Sequence, residues 1–423
     1  MKSLLIKNAV VINCDDRSLN KQDIYIEDGV IREVSFLINR EADETVDAGG
    51  LLCGPGLVDM HVHMRDPGQT HKEDMHTLSA AAAAGGVTTV LAMPNTAPPV
   101  SSVGVLRDIL DRAKGSCINI LQAACVTENM SGERLSDLEA LKNAGAAAFS
   151  DDGRPVENAR LMLQAIKEAA RLDVPVLSHA EDLNIVNGGI MNEGEISRRL
   201  GVKGIDRASE DSSTAREMAL AAACGGGIHI CHVSTRGSVS IIRDAKRRGV
   251  KITCETAPHY FSLTDEALLS CDADYRMNPP LRTQDDVNAV IRGIADGTID
   301  AIATDHAPHT AQEKADFKTA PNGIIGLETL LPVSYTNLVR AGRIDIFRLF
   351  EMLAYNPADI LRTRANRFAG GDRADIVLFD PHGEFKVDIN RLHGKSVNTA
   401  FKNMSFYGAV KMTVCGGNII YRA

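Results

Sequence analysis

No apolar run in the 423-residue chain comes near the ~18 residues that a membrane span requires. Its first stretch, Met1 to Asn13, is mildly apolar but interrupted by Lys7 and Asn8, and no small-residue cleavage site follows, so no secretory leader is expected. None of the nine cysteines forms a CxxC pair. An odd count at scattered spacings reads as reduced thiols, which points to the cytoplasm. Positive charge is not in excess either: 46 lysines and arginines against 55 acidic residues give a net charge of −9. That balance argues against a nucleic-acid or membrane-surface partner, and any anionic substrate has to be met by cations gathered locally. Low-complexity tracts and short-period repeats are absent as well.

What is present is an alternation. From Gly54 onward, short β-branched or alanine-rich runs are separated by longer helical patterns, the signature of parallel βα units. Eight such runs stand out: Leu57 to His63, Val87 to Met93, Ile118 to Val126, Ala146 to Ser150, Val174 to His179, Ile228 to His232, Val250 to Glu255 and Ile299 to Thr304. Helices are expected at Met75 to Ala84, Leu106 to Ala113, Glu133 to Lys142, Val156 to Arg171, Ala215 to Ala223 and Ser238 to Arg248. Eight strands with interleaved helices predict an α/β fold, a (β/α)8 TIM-type barrel over residues 54–364. The flanks carry strand patterns without helices between them, at Ser3 to Val11, Asp23 to Ile26, Val30 to Val34, Ile376 to Phe379, Ala409 to Val414 and Asn418 to Tyr421. Residues 1–53 and 365–423 are therefore expected to form one small composite β-sandwich, since an isolated hairpin is marginal in water.

The chemistry gathers at strand ends. His61 and His63 close the first run two residues apart, so on a strand they face one side and offer two imidazoles to one metal. An HxH pair alone is also compatible with two structural histidines. Other strand ends answer it: Asp151 and Asp152 follow the fourth run, His179 ends the fifth, His232 ends the sixth and Asp305 follows the eighth. In a barrel these ends meet at the C-terminal face. Imidazoles with a few carboxylates suit zinc, and this many ligands exceed the roughly four of a single ion, so a two-metal centre is expected. A bridging carboxylate and hydroxide would supply a nucleophile at neutral pH and a Lewis acid for a carbonyl. Asp305 could also carry a proton between the attacking and leaving groups. On the same face stand Arg65, Asn95, Asn278 and His309, a set suited to a small carboxylate. His71, His76, His229, His259, His306, His382 and His393 have weaker claims as surface or supporting groups, and Cys231 is expected to pack within its strand.

The segments GLVDMHVHMRDPG, KEDMHTLSAAAAAGGVTTVLAMPNTAPP, FSDDG, SHAED, ICHVST, ETAPHYFSLTD, MNPPLR, ATDHAPHTAQEK and GLET together resemble the dihydroorotases of the amidohydrolase superfamily. The resemblance covers nearly the whole chain. It implies that His61 and His63 bind one zinc, His179 and His232 a second, and that Asp152 and Asp305 complete the set. Hydantoinases, dihydropyrimidinases and allantoinases bridge their metals with a carboxylated lysine, whereas here no lysine follows the fourth run until Lys167. That resembles the branch in which an aspartate bridges, assigned to Asp152 with Asp151 as the alternative. His63, Arg65, Asn95, Asn278 and His309 resemble substrate-holding residues, joined by Asn322 and Gly323, although relatives often carry an aromatic residue where Asn322 stands.

The implied reaction is the reversible cyclisation of N-carbamoyl-L-aspartate to L-dihydroorotate in pyrimidine biosynthesis. Zn2+, two per subunit, is the implied cofactor. A homodimer and an aspartate carbamoyltransferase partner are both left open. Rival readings are another cyclic amidase, opposed by Arg65, Asn95 and the missing lysine, and a catalytically silent scaffold for aspartate carbamoyltransferase, opposed by the complete ligand set. The long polar loop from His306 to Gly326 is expected to be a mobile lid.

Overall fold

The computed structural model describes residues 3–423. Strands are numbered in chain order: β1 (Ser3–Asn13), β2 (Ser18–Glu27), β3 (Val30–Ser35), β4 (Glu44–Asp47), β5 (Leu52–Pro55), β6 (Leu57–Val62), β7 (Val87–Ala92), β8 (Asn119–Ala124), β9 (Ala148–Ser150), β10 (Val176–Ser178), β11 (Met191–Asn192), β12 (Gly204–Ile205), β13 (Ile228–Ile230), β14 (Ile252–Thr256), β15 (Ala301–Ile302), β16 (Ile376–Lys386), β17 (Ser405–Cys415) and β18 (Asn418–Arg422). Eight of them, in the order β6, β7, β8, β9, β10, β13, β14, β15, form a parallel sheet that contains all eight expected runs. The two edges meet: a parallel bridge joins Val62 to His306, and the His63 amide donates to the His306 carbonyl at 2.8 Å. The sheet is thus a nearly closed barrel.

Its strands read as continuous apolar runs because both faces are covered; every residue of β6 and β7 is buried. Alanines 123, 148, 301 and 303 pack with Leu91, Met60 and Leu177 in one buried cluster, small residues leaving room for larger ones across the barrel. The surrounding helices start at side-chain caps that the sequence supplies. Asp74 accepts from the amides of His76 and Thr77, Ser102 from Val105, Asn158 from Arg160 and Leu161, and Thr235 from Ser238, each worth about 1 kcal/mol.

The helix expected from Glu133 spans only Leu138–Asn143. The Ser136 amide bonds back to the Val126 carbonyl and Asp137 caps the helix, so the preceding residues fold as a loop. The helix expected from Ala215 begins earlier, at Ala208. Between β10 and that helix lies an excursion the periodicity did not indicate, with the short parallel ladder β11–β12.

Both chain ends join one eight-stranded sheet in the order β18, β17, β16, β5, β1, β2, β3, with β4 also paired to β1. It encloses its own core of Leu4, Ile6, Val11, Ile24, Ile26, Ile376, Leu378, Met412 and Val414. Against the barrel the fit is close. A Cβ at Gly54 would lie 2.1 Å from the Phe350 ring, and that ring stacks on Phe379 with centroids 5.9 Å apart. Among the described residues no helix is long and apolar enough to cross a membrane.

Candidate active site

Every strand-end residue singled out from the sequence lies at the C-terminal mouth of the barrel. Around Asp152 stand four imidazoles. Its Oδ1 is 3.3 Å from His61 Nε2, 3.4 Å from His179 Nδ1 and 3.5 Å from His232 Nε2, while Oδ2 is 3.4 Å from His63 Nε2. Asp305 Oδ1 lies 2.9 Å from His63 Nε2 and 3.5 Å from His61 Nε2. Asp151 is turned away, its carboxylate taken by the amide and hydroxyl of Thr127.

The local backbone is bent to achieve this. The β6–β7 register slips between Asp59 and Val62, at the histidine pair, and Arg65, His232 and Asp305 all have positive φ, at 65°, 37° and 50°. Left-handed non-glycine residues cost ~1–2 kcal/mol each, so three at one mouth mark a place where side-chain placement outweighs backbone comfort.

The donors fit a metal. His61 Nε2 and Asp152 Oδ1 are buried and make no hydrogen bond among the described residues, although they lie 3.3 Å apart. Two triads, His61 with Asp152 and His232, and His61 with His63 and Asp305, bring their donor atoms within 4.8 Å of one another. Nitrogen and carboxylate oxygen donors of this kind suit zinc. Burial opposes charge on His179, but the Asp152 and Glu181 carboxylates overcome it and push the imidazole up to about 10. Burial likewise opposes ionisation of Asp152 and Asp305, and the histidines hold both below the usual carboxylate range. A cluster of carboxylates and imidazoles that wants this much positive charge is the electrostatic complement of a cation.

Two supporting carboxylates escaped the sequence reading. Glu255, buried on β14, lies 2.7 Å from His61 Nδ1, and its Oε2 is 3.4 Å from His229 Nε2. Burial pushes Glu255 up, but the hydrogen bonds and charges of His229 and His61 hold it down at about 2. Glu181 Oε2 lies 3.1 Å from His179 Nε2 and accepts from the Asn278 amide at 3.2 Å. A carboxylate on the outer nitrogen fixes a histidine's tautomer and leaves the inner nitrogen as a lone-pair donor. His229, His259 and His306 are buried supporting groups rather than surface ones, and Cys231 packs in the barrel interior.

Beside the cluster lies a cavity of about 260 Å³ lined by His63, Arg65, Asn95, Asp152, Gly153, His179, His232, Asn278, Asp305, Ala307, His309, Asn322 and Gly323. Arg65 is buried and makes no ion pair among the described residues; it donates to the Pro308 carbonyl at 3.3 Å and lies 3.4 Å from His309 Nε2. Burial pulls even this guanidinium down to about 10. Asn95 accepts from His63 Nδ1 at 3.0 Å through its amide oxygen. The amide oxygens of Asn278 and Asn322 are buried and have no hydrogen-bond partner among the described residues. His309 Nε2 donates to the Asn322 carbonyl at 3.0 Å, and Lys72 lies 3.4 Å from Nδ1. Burial first, then the charges of Arg65, Lys72 and Lys314, lowers His309 to about 3, so the ring is neutral. A larger cavity, about 520 Å³, opens at the opposite end of the barrel and holds none of these residues except the back of the His229 strand.

Known proteins resemble this chain along its whole length. Residues 50–238 match the family described as dihydro-orotase-like. The chain is 46% identical to the dihydroorotase of Geobacter metallireducens over 99% of this chain and 100% of that one, and 44% identical to the dihydroorotase of Acetivibrio thermocellus over 99% of both. The chain belongs to the dihydroorotase family. The fold of this dihydroorotase-family chain is shared with hydantoinases. The L-hydantoinase of Arthrobacter aurescens superposes with a TM-score of 0.87 at 25% identity, covering 100% of this chain and 96% of that one. The D-hydantoinase of a Thermus species superposes with a TM-score of 0.85 at 26% identity, over 99% and 95%. Within that shared barrel, the dihydroorotase-family chain places Asp152 among His61, His63, His179 and His232.

Proposed function

We propose that the cavity interconverts N-carbamoyl-L-aspartate and L-dihydroorotate, with two zinc ions held by His61, His63, Asp152, His179, His232 and Asp305. When bound, such ions supply Lewis acidity to a carbonyl oxygen and acidify water. The observation that carries the substrate assignment is Arg65: a buried guanidinium with no carboxylate partner among the described residues, lining the same cavity as His63, Asp152, His179, His232 and Asp305. Leaving such a charge unpaired is costly, so the site is built for an anion that arrives with the substrate. Dihydroorotate carries a carboxylate outside the reacting amide. Unsubstituted hydantoin carries none.

In ring closure the substrate's side-chain carboxylate faces the metal cluster, while its other carboxylate is held by Arg65, with Asn95 and His309 beside it. The ureido nitrogen attacks the carboxylate carbon, a C–N bond forms, a C–O bond breaks and the oxygen leaves as water, carrying the proton given up by the nitrogen and one more from solution. Asp305 is ionised and lies at the cluster's edge, so it takes the proton from the attacking nitrogen and returns it to the leaving nitrogen in the reverse direction. Fixed donors around Arg65 hold the nitrogen and carbon in reach of one another, which removes orientational entropy from the barrier. In this reading residues 54–364 form the metal-binding barrel, and residues 1–53 with 365–423, described from Ser3 onward, form its structural flank.

The test compares zinc-loaded protein on L-dihydroorotate, N-carbamoyl-L-aspartate, hydantoin and allantoin, alongside Arg65→Met. Turnover confined to the first two, with kcat/KM reduced by ~100-fold or more in Arg65→Met, is the expected outcome. Equal loss on hydantoin, or turnover of hydantoin alone, would refute the assignment of the anion pocket.

A further inference from the structure

Lys314 is buried, and its ammonium forms no ion pair among the described residues. Its three N–H groups are instead spent on three main-chain carbonyls: Pro321 at 3.0 Å, Gly323 at 3.1 Å and Arg276 at 3.4 Å. Burial pulls the ammonium down to about 8, with Asp274 and Asp272 opposing from a distance. An ammonium has three donors and no acceptor, so this cage satisfies it completely without neutralising it.

The placement of those carbonyls gives the cage a consequence. Pro321 and Gly323 bracket Asn322, and their carbonyls turn toward Lys314 while that of Asn322 turns the other way, onto His309 Nε2. The lysine thereby sets the orientation of the peptide groups that fix the His309 tautomer. Arg276, the third acceptor, lies two residues before Asn278 and also accepts from the Gly323 amide at 2.9 Å. One cation therefore ties together the two rims that carry Asn278, Asn322 and His309. Gly323 has no slack in which to absorb its loss: φ is 143°, and a Cβ there would lie 2.8 Å from Ala307 and 3.1 Å from His309 Cδ2. Arg276 and Gly323 keep other donors if the lysine is removed, the Gly323 amide and Asn398 Nδ2, whereas Pro321 is left with none among the described residues.

We propose that Lys314 is a positioning residue for the substrate pocket, acting through the peptide groups on either side of Asn322 to aim His309 and Asn322 at the substrate. This rests on the reading that the pocket binds dihydroorotate, and the first readout is chosen to be independent of it. In Lys314→Ala, hydrogen exchange of the peptide covering residues 321–325, measured without substrate, should speed up about tenfold or more, while that of the β6 peptide is unchanged. On L-dihydroorotate, KM should rise about tenfold with kcat within about threefold of wild type and with metal content unaltered. Added n-propylammonium should restore both the exchange rate and KM in a saturable way. Lys314→Met, which keeps the stem but donates nothing, gives the same readings should the alanine variant fail to fold. Unchanged exchange and unchanged KM in either variant overturn the proposal. Altered exchange with rescue, but no dihydroorotate turnover even in wild type, would uphold the clamp and refute only the substrate assignment.

Discussion

Replacing Glu255 by glutamine keeps the size of a buried side chain and removes one charge. The carboxylate sits 2.7 Å from His61 Nδ1 with both partners essentially inaccessible to solvent. A hydrogen bond to a charged group is worth about 1.5–3 kcal/mol net, a neutral one about 0.5–1.5, so the variant should weaken the His61 contact by about 1–1.5 kcal/mol. It also leaves His61 a poorer lone-pair donor at Nε2, the nitrogen that faces Asp152 and Asp305. Loss of such an outer carboxylate commonly costs about 10–100-fold in metal affinity, or about 1.4–2.7 kcal/mol. Zinc affinity measured by competition with a chromogenic chelator should therefore fall by that factor in Glu255→Gln. The thermal stabilisation given by added zinc should shrink in step, because ligand binding stabilises the folded state by RT ln(1 + L/Kd), where L is the free ligand concentration. Glu328→Gln supplies the control: its carboxylate makes a like contact to His393 Nδ1, at 2.8 Å, outside the cluster, so zinc affinity should not change. If both variants bind zinc as wild type does, Glu255 is merely filling space and the argument from the outer carboxylates is wrong.

Asp305→Ala should lower turnover in both directions by ~10²–10⁴-fold, the usual contribution of a positioned acid or base, while calorimetry finds much of the affinity for N-carbamoyl-L-aspartate retained; normal turnover would remove Asp305 from the chemistry. A second expectation concerns acid stability. His259 and His309 are both held near 3, chiefly by burial, against an unfolded value near 6.5. The unfolded chain therefore takes up these protons first, and stability present above pH ~6.5 is lost as pH falls toward about 3, by at most ~1.4 kcal/mol per pH unit for each ring. Urea unfolding of metal-stripped protein between pH 6 and 4.5 should show a shallower pH slope in His309→Asn than in wild type, and identical slopes would mean the ring is already charged in the folded state.

Much of the barrel was legible because its evidence is local and repeated. Each strand is a short apolar run, each helix has its own period, and the topology alone carries every strand end to one mouth. His61, His63, Asp152, His179, His232 and Asp305 group together from sequence alone, since their positions at strand ends already decide which end of the barrel they reach. Even Asp151 against Asp152 is a one-residue matter of side: Asp151 turns to Thr127 and its neighbour turns inward. The regions that went unseen, from Ala180 to Arg207 and the helical stretch around Leu330–Ile360, are excursions whose shape depends on what they pack against.

The supporting residues were hidden for a different reason, and unequally so. Glu255 did leave a trace: a carboxylate in the otherwise uncharged run ITCET of β14 has to find a partner once it is buried. The sequence could say that such a partner exists, but not that it is His61, 194 positions away. Lys314 left none. A lysine among Gln312, Glu313 and Asp316 reads as one more solvated charge, and its burial arises only when Arg276 and the turn at Pro321 to Gly323 close over it. The same closure changes the meaning of the loop that carries it. From composition the segment from His306 to Gly326 looks like a free lid, yet Lys314 inside it, and Asn398 from the far end of the chain bonding Ala307 and Gly323, hold its two stems against the pocket. Whatever opens to admit substrate therefore has to be sought in the exposed tip between those stems, not in the residues that line the site.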